Sequence, residues 1–261
     1  MVLQKLELHE WFLAYQLDHI KRKCNHLPGQ IQLDISAHAD FYEKRGQKIP
    51  INALFLKLVG KWAAENPSAH KMLFRTWSGW KFLYGDEIRI NIPLEIKHKD
   101  RSIITAIVIK NPQNKSVDEI NQEIRMAKEK SVDHFPITKF ANFKPNTFYN
   151  RWLLKGLHTL INAWPSLYWK KGGGCLSVSS LSNLAKTGTL FSTYSFGPTG
   201  FTFFYKDIVR QNEKTYLNLS IAVDHNCYTG IEMVNLMNRF IDCAQTGEQK
   251  NFSKLTQDVH I

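Results

Sequence analysis

A histidine that follows an apolar strand is the residue best placed for acid–base chemistry. The segment Tyr216–Asp224 alternates apolar and polar side chains, which predicts a strand with one apolar face. His225 comes directly after it, and Gly230 opens a stretch with helical apolar spacing, so the histidine falls in a short strand-to-helix turn. Such turns carry side chains into clefts, and an imidazole titrates near neutral pH. His225 is therefore predicted to act as a general base.

A serine-rich strand is predicted upstream of this histidine. Gly172, Gly173 and Gly174 precede Cys175–Ser179, which has the pattern of a strand, and Ser179 lies 46 residues before His225. The glycines lack the spacing of a phosphate-binding loop, and a flexible entry to the strand explains them better.

The cysteines predict neither a metal site nor a disulfide framework. Cys24, Cys175, Cys227 and Cys243 lie far apart without a Cys-x-x-Cys spacing, which fits a reducing, cytoplasmic setting. Cys227 lies close to His225, but catalytic Cys–His pairs normally combine partners that the fold brings together. A buried structural thiol is therefore the expectation for Cys227.

The net charge of +11 leaves three classes of partner to consider: nucleic acid, a membrane surface and a phosphorylated ligand. The basic residues are scattered, and their densest clusters, at 21–23, 97–101 and 170–171, are short. A solvated basic surface with a bias toward anionic ligands is predicted. Nucleic-acid binding is not predicted. If it occurred, it would weaken strongly as the salt concentration rises.

The remaining elements predict a mixed α/β protein with helices laid on one sheet. Helices are predicted over 9–23, 51–65 and 151–163, and strands over 31–35, 87–95 and 103–109. Ser116 and Glu119 have the spacing of a capping box at the start of a further helix. Trp77, Trp80 and Phe82 are expected in the core or in a subunit interface. No apolar run is long enough to span a bilayer, and no secretory signal is visible.

These segments, in this order, resemble chloramphenicol acetyltransferases and the catalytic domains of dihydrolipoamide acyltransferases. That group shares one fold and a His-x-x-x-Asp-Gly motif at the end of a strand; here the motif is His225-Asn-Cys-Tyr-Thr-Gly230. Ile31–Ser36 is similar to an early strand of the chloramphenicol enzymes. Ile107–Ile120 and Gly173–Ser179 resemble segments of the dihydrolipoamide branch. The resemblance covers most of the chain and implies a two-layer α/β sandwich, a mixed sheet covered by helices.

The resemblance also implies a reaction and roles for several residues. An acyl group would pass from a coenzyme A or carrier-protein thioester to a small thiol, hydroxyl or amine, without an acyl-enzyme. His225 would be the base, and Ser179 would donate a hydrogen bond to the oxyanion. Ser182 remains an alternative to Ser179, because Ser182–Gly188 also resembles the family segment that starts at the serine. Thr202 corresponds to a pocket threonine, and Gly230 to the motif glycine.

One departure concerns the motif aspartate, whose position holds Thr229. In the chloramphenicol enzymes this aspartate pairs with an arginine near the N-terminus, and alignment on Trp11 puts Leu13 at that place. Removing both partners of a buried ion pair can be nearly neutral, whereas removing one is costly. The turn is therefore expected to be held differently. A non-catalytic trimer that binds a ligand or acts as a scaffold is the alternative function.

The expected organisation is a single catalytic domain over residues 1–261, without lipoyl or subunit-binding domains. The resemblance implies a homotrimer with active sites between subunits, where His225 of one chain faces the serine and the acceptor pocket of its neighbour. Nucleic acid, metal ions and a membrane span are not expected.

Overall fold

The computed structural model describes residues 5–98, 101–171, 173–180 and 198–246. The helices are α1 (Leu8–Lys23), α2 (Ser36–Glu43), α3 (Ile51–Glu65), α4 (Val117–Lys128), α5 (Pro136–Phe143), α6 (Phe148–Ala163), α7 (Pro165–Lys170) and α8 (Gly230–Thr246). The strands are β1 (His26–Asp34), β2 (Lys71–Thr76), β3 (Gly79–Tyr84), β4 (Arg89–His98), β5 (Arg101–Lys110), β6 (Leu176–Ser180), β7 (Phe201–Gln211) and β8 (Lys214–Asp224).

One mixed sheet organises the chain. Its strand order is β1-β8-β7-β6-β4-β5, with β6 parallel to both β4 and β7 and the other neighbours antiparallel. The mixed α/β architecture predicted from the sequence is thus confirmed. β2 and β3 form a separate hairpin that the sequence pattern did not indicate. Trp77, Trp80 and Phe82 on this hairpin are 93%, 55% and 47% exposed, so their placement in the core was wrong for the single chain.

The core lies between the sheet and helices α3 and α8. Trp62 of α3 makes edge-on contacts with Phe201 and Phe203 of β7 and with Phe240 of α8. The indole N–H of Trp62 donates to the carbonyl of Leu236 at 2.9 Å, so the ring is buried without an unpaired donor. These contacts fix α8, and with it the turn that precedes α8, against the end of the sheet.

Most locally encoded elements were predicted with small errors at their ends. The helix over 51–65 has the predicted bounds. Ser116 and Glu119 form the predicted capping box at the start of α4: the Glu119 amide donates to the serine hydroxyl at 3.1 Å, and the Ser116 amide donates to the carboxylate at 2.6 Å. Strand β1 begins earlier than predicted and ends before Ile35. Helices α2, α5 and α7 and strand β7 were not predicted. Among the described residues, no helix is long and apolar enough to cross a membrane.

Replacing Gly156 by alanine is expected to raise the free energy of unfolding by about 0.5–1 kcal/mol. Gly156 lies in the interior of α6, and a Cβ built there meets nothing within 4 Å. The substitution therefore gains helix propensity without a clash. Chemical denaturation of the two proteins measures the difference. Gly200→Ala serves as the opposite case, because a Cβ at Gly200 would come within 2.6 Å of the Tyr228 ring.

Candidate active site at the end of strand β8

Backbone hydrogen bonds tie the turn after β8 to two other segments. The His225 amide donates to the carbonyl of Asn25 at 2.7 Å, just before β1 begins. The Asp224 amide donates to the carbonyl of Gly200 at 2.9 Å, just before β7 begins. Since β1 and β7 flank β8 in the sheet, the histidine backbone is fixed from both sides.

The His225 ring is held in one tautomer. Its Nδ1 lies 2.9 Å from the carbonyl oxygen of Tyr228. Because a carbonyl oxygen only accepts hydrogen bonds, Nδ1 carries the proton and the lone pair is on Nε2. The side chain is exposed, so Nε2 is open to a molecule that approaches the end of β8. This is the state of an imidazole that can take a proton.

Asp224 organises the backbone beneath the histidine. Its side chain is buried, and Oδ1 accepts hydrogen bonds from the amides of Asn25 at 3.2 Å and Asn226 at 3.0 Å. The Asn25 side chain adds a bond to the side chain of Asn226 at 3.1 Å. The N-terminal segment therefore reaches the turn through Asn25, two residues after the end of α1. Leu13, which the alignment placed at the arginine position, is 51% exposed on α1 and supplies no such link.

Thr229 starts α8 with a second capping box. The Glu232 amide donates to the threonine hydroxyl at 3.3 Å, and the Thr229 amide donates to the Glu232 carboxylate at 2.8 Å. This amide, together with the threonine hydroxyl and nearby Lys71, holds the pKa of Glu232 below its ordinary value. In this chain, capping contacts between Thr229 and Glu232 hold the turn where α8 begins. Gly230 is the first residue of α8, and a Cβ there would meet nothing within 4 Å.

Lys71 braces this capping box from strand β2. Its ammonium lies 3.7 Å from the Glu232 carboxylate and 4.4 Å from the centre of the Tyr228 ring, and the side chain is largely buried. The Tyr228 hydroxyl donates to the carbonyl of Ala69 at 2.9 Å, which fixes the residue whose carbonyl binds His225. Sequence analysis missed Asn25, Lys71 and Glu232. Only Thr229-x-x-Glu232 carried a local signal, the same capping-box spacing that was found at Ser116.

Cys227 is a buried thiol. It is 4% exposed, and burial raises its pKa to about 12, so the thiolate is scarcely populated at neutral pH. Burial also lowers the pKa of His26, at the start of β1, although the charge of Asp224 opposes this shift. Within the described part of the chain, no group of three or more histidine, cysteine or acidic side chains could hold a metal ion.

The structure does not bring Ser179 to His225 within one chain. Strand register pairs Ser179 with Phe204, and Phe204 with Ser220. Ser220 precedes His225 by five residues on β8, which corresponds to about 16 Å along a strand. Ser182, the alternative serine, lies outside the described residues.

Thr202 is nearer to the turn than Ser179 is. It pairs with Ala222 on β8 and with Ser177 on β6, so these three side chains share the face of the sheet opposite α3. Thr202 is fully buried, and its hydroxyl oxygen has no hydrogen-bond partner among the residues that the structure describes. A buried hydroxyl without a partner is unusual in a folded protein.

No protein-family model and no curated protein matches the sequence. Solved structures match it over 94% of its length. The dihydrolipoamide acetyltransferase of Azotobacter vinelandii is 17% identical with a TM-score of 0.64, and the match covers 91% of that chain. The truncated catalytic core of the 2-oxoacid dehydrogenase complex from Thermoplasma acidophilum is 13% identical with a TM-score of 0.65, and 98% of that chain is covered.

A chloramphenicol acetyltransferase matches over 92% of this chain and 99% of its own, at 14% identity and a TM-score of 0.50. The chain has the chloramphenicol acetyltransferase fold. Proteins with this fold are mostly coenzyme A-dependent acyltransferases, and they form trimers and larger cores, among them the cubic core of a pyruvate dehydrogenase complex. His225 directly follows β8, an interior strand of the sheet.

Proposed function

We propose that the protein is an acyltransferase that moves an acyl group from a coenzyme A or carrier-protein thioester to a small thiol, hydroxyl or amine. The observation that carries the proposal is the His225 ring, whose Nδ1 donates to the Tyr228 carbonyl and leaves Nε2 as an exposed base. The family resemblance of the sequence and the fold both support this assignment.

The reaction follows from the properties of an imidazole base. Nε2 of His225 takes the proton of the acceptor as the acceptor atom forms a bond to the thioester carbonyl carbon. The carbonyl oxygen becomes an oxyanion, and a positioned serine hydroxyl stabilises it by about 3–4 kcal/mol. The carbon–sulfur bond then breaks, and the imidazolium returns its proton to the leaving thiolate. Cys227 is buried with a raised pKa, which supports direct transfer without an acyl-cysteine.

The serine comes from a neighbouring subunit in this proposal. Ser179 is about 16 Å along the sheet from His225 in the same chain, too far for both to contact one carbonyl. A homotrimer with sites between subunits places His225 of one copy opposite Ser179, or Ser182, of the next. Thr202, whose buried hydroxyl has no partner among the described residues, is then a residue of the acceptor pocket.

The proposal extends to the whole chain and its setting. In this proposal residues 1–261 form one catalytic domain, and the protein works in the cytoplasm. A carrier-protein donor remains an alternative to coenzyme A.

A non-catalytic trimer that binds a ligand or acts as a scaffold is the second candidate, because Thr229 stands where the family motif has aspartate. The Azotobacter enzyme weakens the argument that a residue other than aspartate at this position means loss of catalysis. A serine, a histidine and an asparagine were investigated for their roles in its catalytic mechanism, and that asparagine follows the histidine by four positions, as Thr229 follows His225. An uncharged residue at this position is therefore compatible with an acetyltransferase.

Thiol release from acyl-coenzyme A donors tests the proposal. The purified protein is incubated with acetyl-, propionyl- and longer acyl-coenzyme A and a panel of thiol, alcohol and amine acceptors. Acceptor-dependent release of the coenzyme A thiol is expected from at least one pair. Absence of release from coenzyme A and carrier-protein donors alike, with an intact trimer, would favour the non-catalytic alternative.

Replacing Thr229 by alanine is expected to lower the free energy of unfolding by about 1 kcal/mol, because the start of α8 loses its capping side chain. Thermal or chemical unfolding measures the loss. Ser116→Ala is the matched control, because it removes the same kind of cap from α4. Turnover should fall only for Thr229→Ala, since only this cap adjoins the histidine turn. Equal turnover in both variants would show that the cap does not position His225.

A further inference from the structure

Helix α6 presents a broad apolar surface that the described residues of the chain do not cover. Its outward residues are spaced three and four apart, and they are Phe148, Tyr149, Trp152, Leu153, Leu157 and Leu160. Phe148, Tyr149 and Trp152 are 80%, 66% and 63% exposed. Trp164, directly after the helix, is 57% exposed. These residues are called the α6 face. A contiguous apolar patch that contains several aromatic rings marks an interaction site.

Among the described residues, it is the opposite side of α6 that packs on the protein. Leu154 is buried with Leu8 of α1 and Ala141 of α5 in a small cluster separate from the main core. Arg151 lies over the Trp11 ring at 5.9 Å, along the seam with α1. The α6 face is thus held outward by a fixed helix, with basic residues at its border.

The sequence segment that contains α6 carries only positive formal charges. Residues 134–206 contain no aspartate or glutamate. The lysines and arginines in the same segment are Lys139, Lys144, Arg151, Lys155, Lys170, Lys171, Lys186 and Lys206. Lys144, Lys155, Lys170 and Lys171 are exposed on or beside α5, α6 and α7. Glu7, directly before α1, lies within 3.9 Å of Arg101 and 3.3 Å of His9, and the exposed acids of the neighbouring helix α1 are Glu10 and Asp18.

These features favour an anionic bilayer over a second copy of the chain. A contact between the α6 faces of two copies would bring like charges together, and a threefold contact between different surfaces would need an acidic surface opposite α6. A bilayer interface accepts the apolar side chains into the acyl boundary, the tryptophan and tyrosine rings at headgroup level, and the lysines against anionic lipids. We propose that the α6 face docks this protein onto an anionic membrane surface. The inference is independent of acyl transfer.

Vesicle flotation with the full chain tests the proposal. We expect binding to phosphatidylcholine vesicles that contain about 30% phosphatidylserine, weak binding to phosphatidylcholine alone, and loss of binding as salt rises. Trp152→Glu with Leu153→Glu should abolish binding, because both charges enter the apolar surface. Ile104→Glu is the matched control, since Ile104 is 75% exposed on strand β5. The double variant Lys144→Gln, Lys155→Gln should weaken binding about 30-fold, because each lysine near an anionic surface contributes about 1 kcal/mol.

Gly156→Ala separates a bilayer from a protein partner on the α6 face. A bilayer tolerates the added methyl group, so binding to anionic vesicles should be unchanged. Three results would overturn the proposal: no binding of the wild-type protein to anionic vesicles, equal binding of the lysine variant, or a smaller oligomer on light scattering for Gly156→Ala or the double glutamate variant. The last would identify the α6 face as a subunit interface.

Discussion

Replacing His225 by alanine is expected to lower the rate of acyl transfer by about two to four orders of magnitude. The variant removes the imidazole whose Nδ1 bonds to the Tyr228 carbonyl and whose Nε2 is the proposed base. The backbone bonds of the turn, from the His225 amide to Asn25 and from the Asp224 amide to Gly200, do not involve the side chain and are retained. Stopped or continuous detection of thiol release, at saturating donor, measures the loss.

His134→Ala is the matched control for this experiment. His134 is also exposed, and its Nδ1 lies 3.3 Å from the carbonyl of Ser131, three residues away. His134 lies at the end of a short helical turn before α5, whereas His225 follows a strand of the sheet. Loss of activity in both variants would point to a general effect of removing an exposed imidazole. Full activity of His225→Ala would remove the proposed base.

The elements that sequence analysis predicted well are those whose signal is local. Helix α3 has apolar residues at helical spacing and a proline two residues after its end, so its bounds follow from propensity and pattern. The capping box at Ser116 is a contact between residues three positions apart. Strand β8 alternates along most of its length, and His225 follows it directly. The central candidate residue was therefore within reach of the sequence.

The parts that were missed depend on partners distant in sequence. Strand β7 contains Phe203 and Phe204 in succession, because both faces of an interior strand are buried and the alternation disappears. Asn25 meets Asp224 across 199 residues, and Lys71 reaches Glu232 from the hairpin. No spacing rule connects such positions. Ser179 was found from a local motif. Its distance from His225 depends on the register of three strands, which the sequence does not give.

Mixing two inactive variants is expected to restore activity, because the proposed site takes its histidine and its serine from different subunits. His225→Ala chains lack the base, and Ser179→Ala chains lack the oxyanion donor, which alone lowers the rate about 100-fold or more. In trimers assembled at random from equal amounts of both, about one quarter of the interfaces combine an intact histidine with an intact serine. Co-expressed variants should therefore recover about one quarter of wild-type turnover.

Such mixtures answer two questions: whether the histidine and the serine come from different subunits, and which serine is the oxyanion donor. If His225 and Ser179 acted within one chain, every site in the mixture would lack one of them, and turnover would not exceed that of the Ser179→Ala protein. A parallel mixture of His225→Ala with Ser182→Ala tests the alternative serine. Recovery there, with Ser179→Ala fully active alone, would assign the oxyanion donor to Ser182. Separation of His225 from Ser179 by about 16 Å along the sheet makes recovery in one of the two mixtures the expected result.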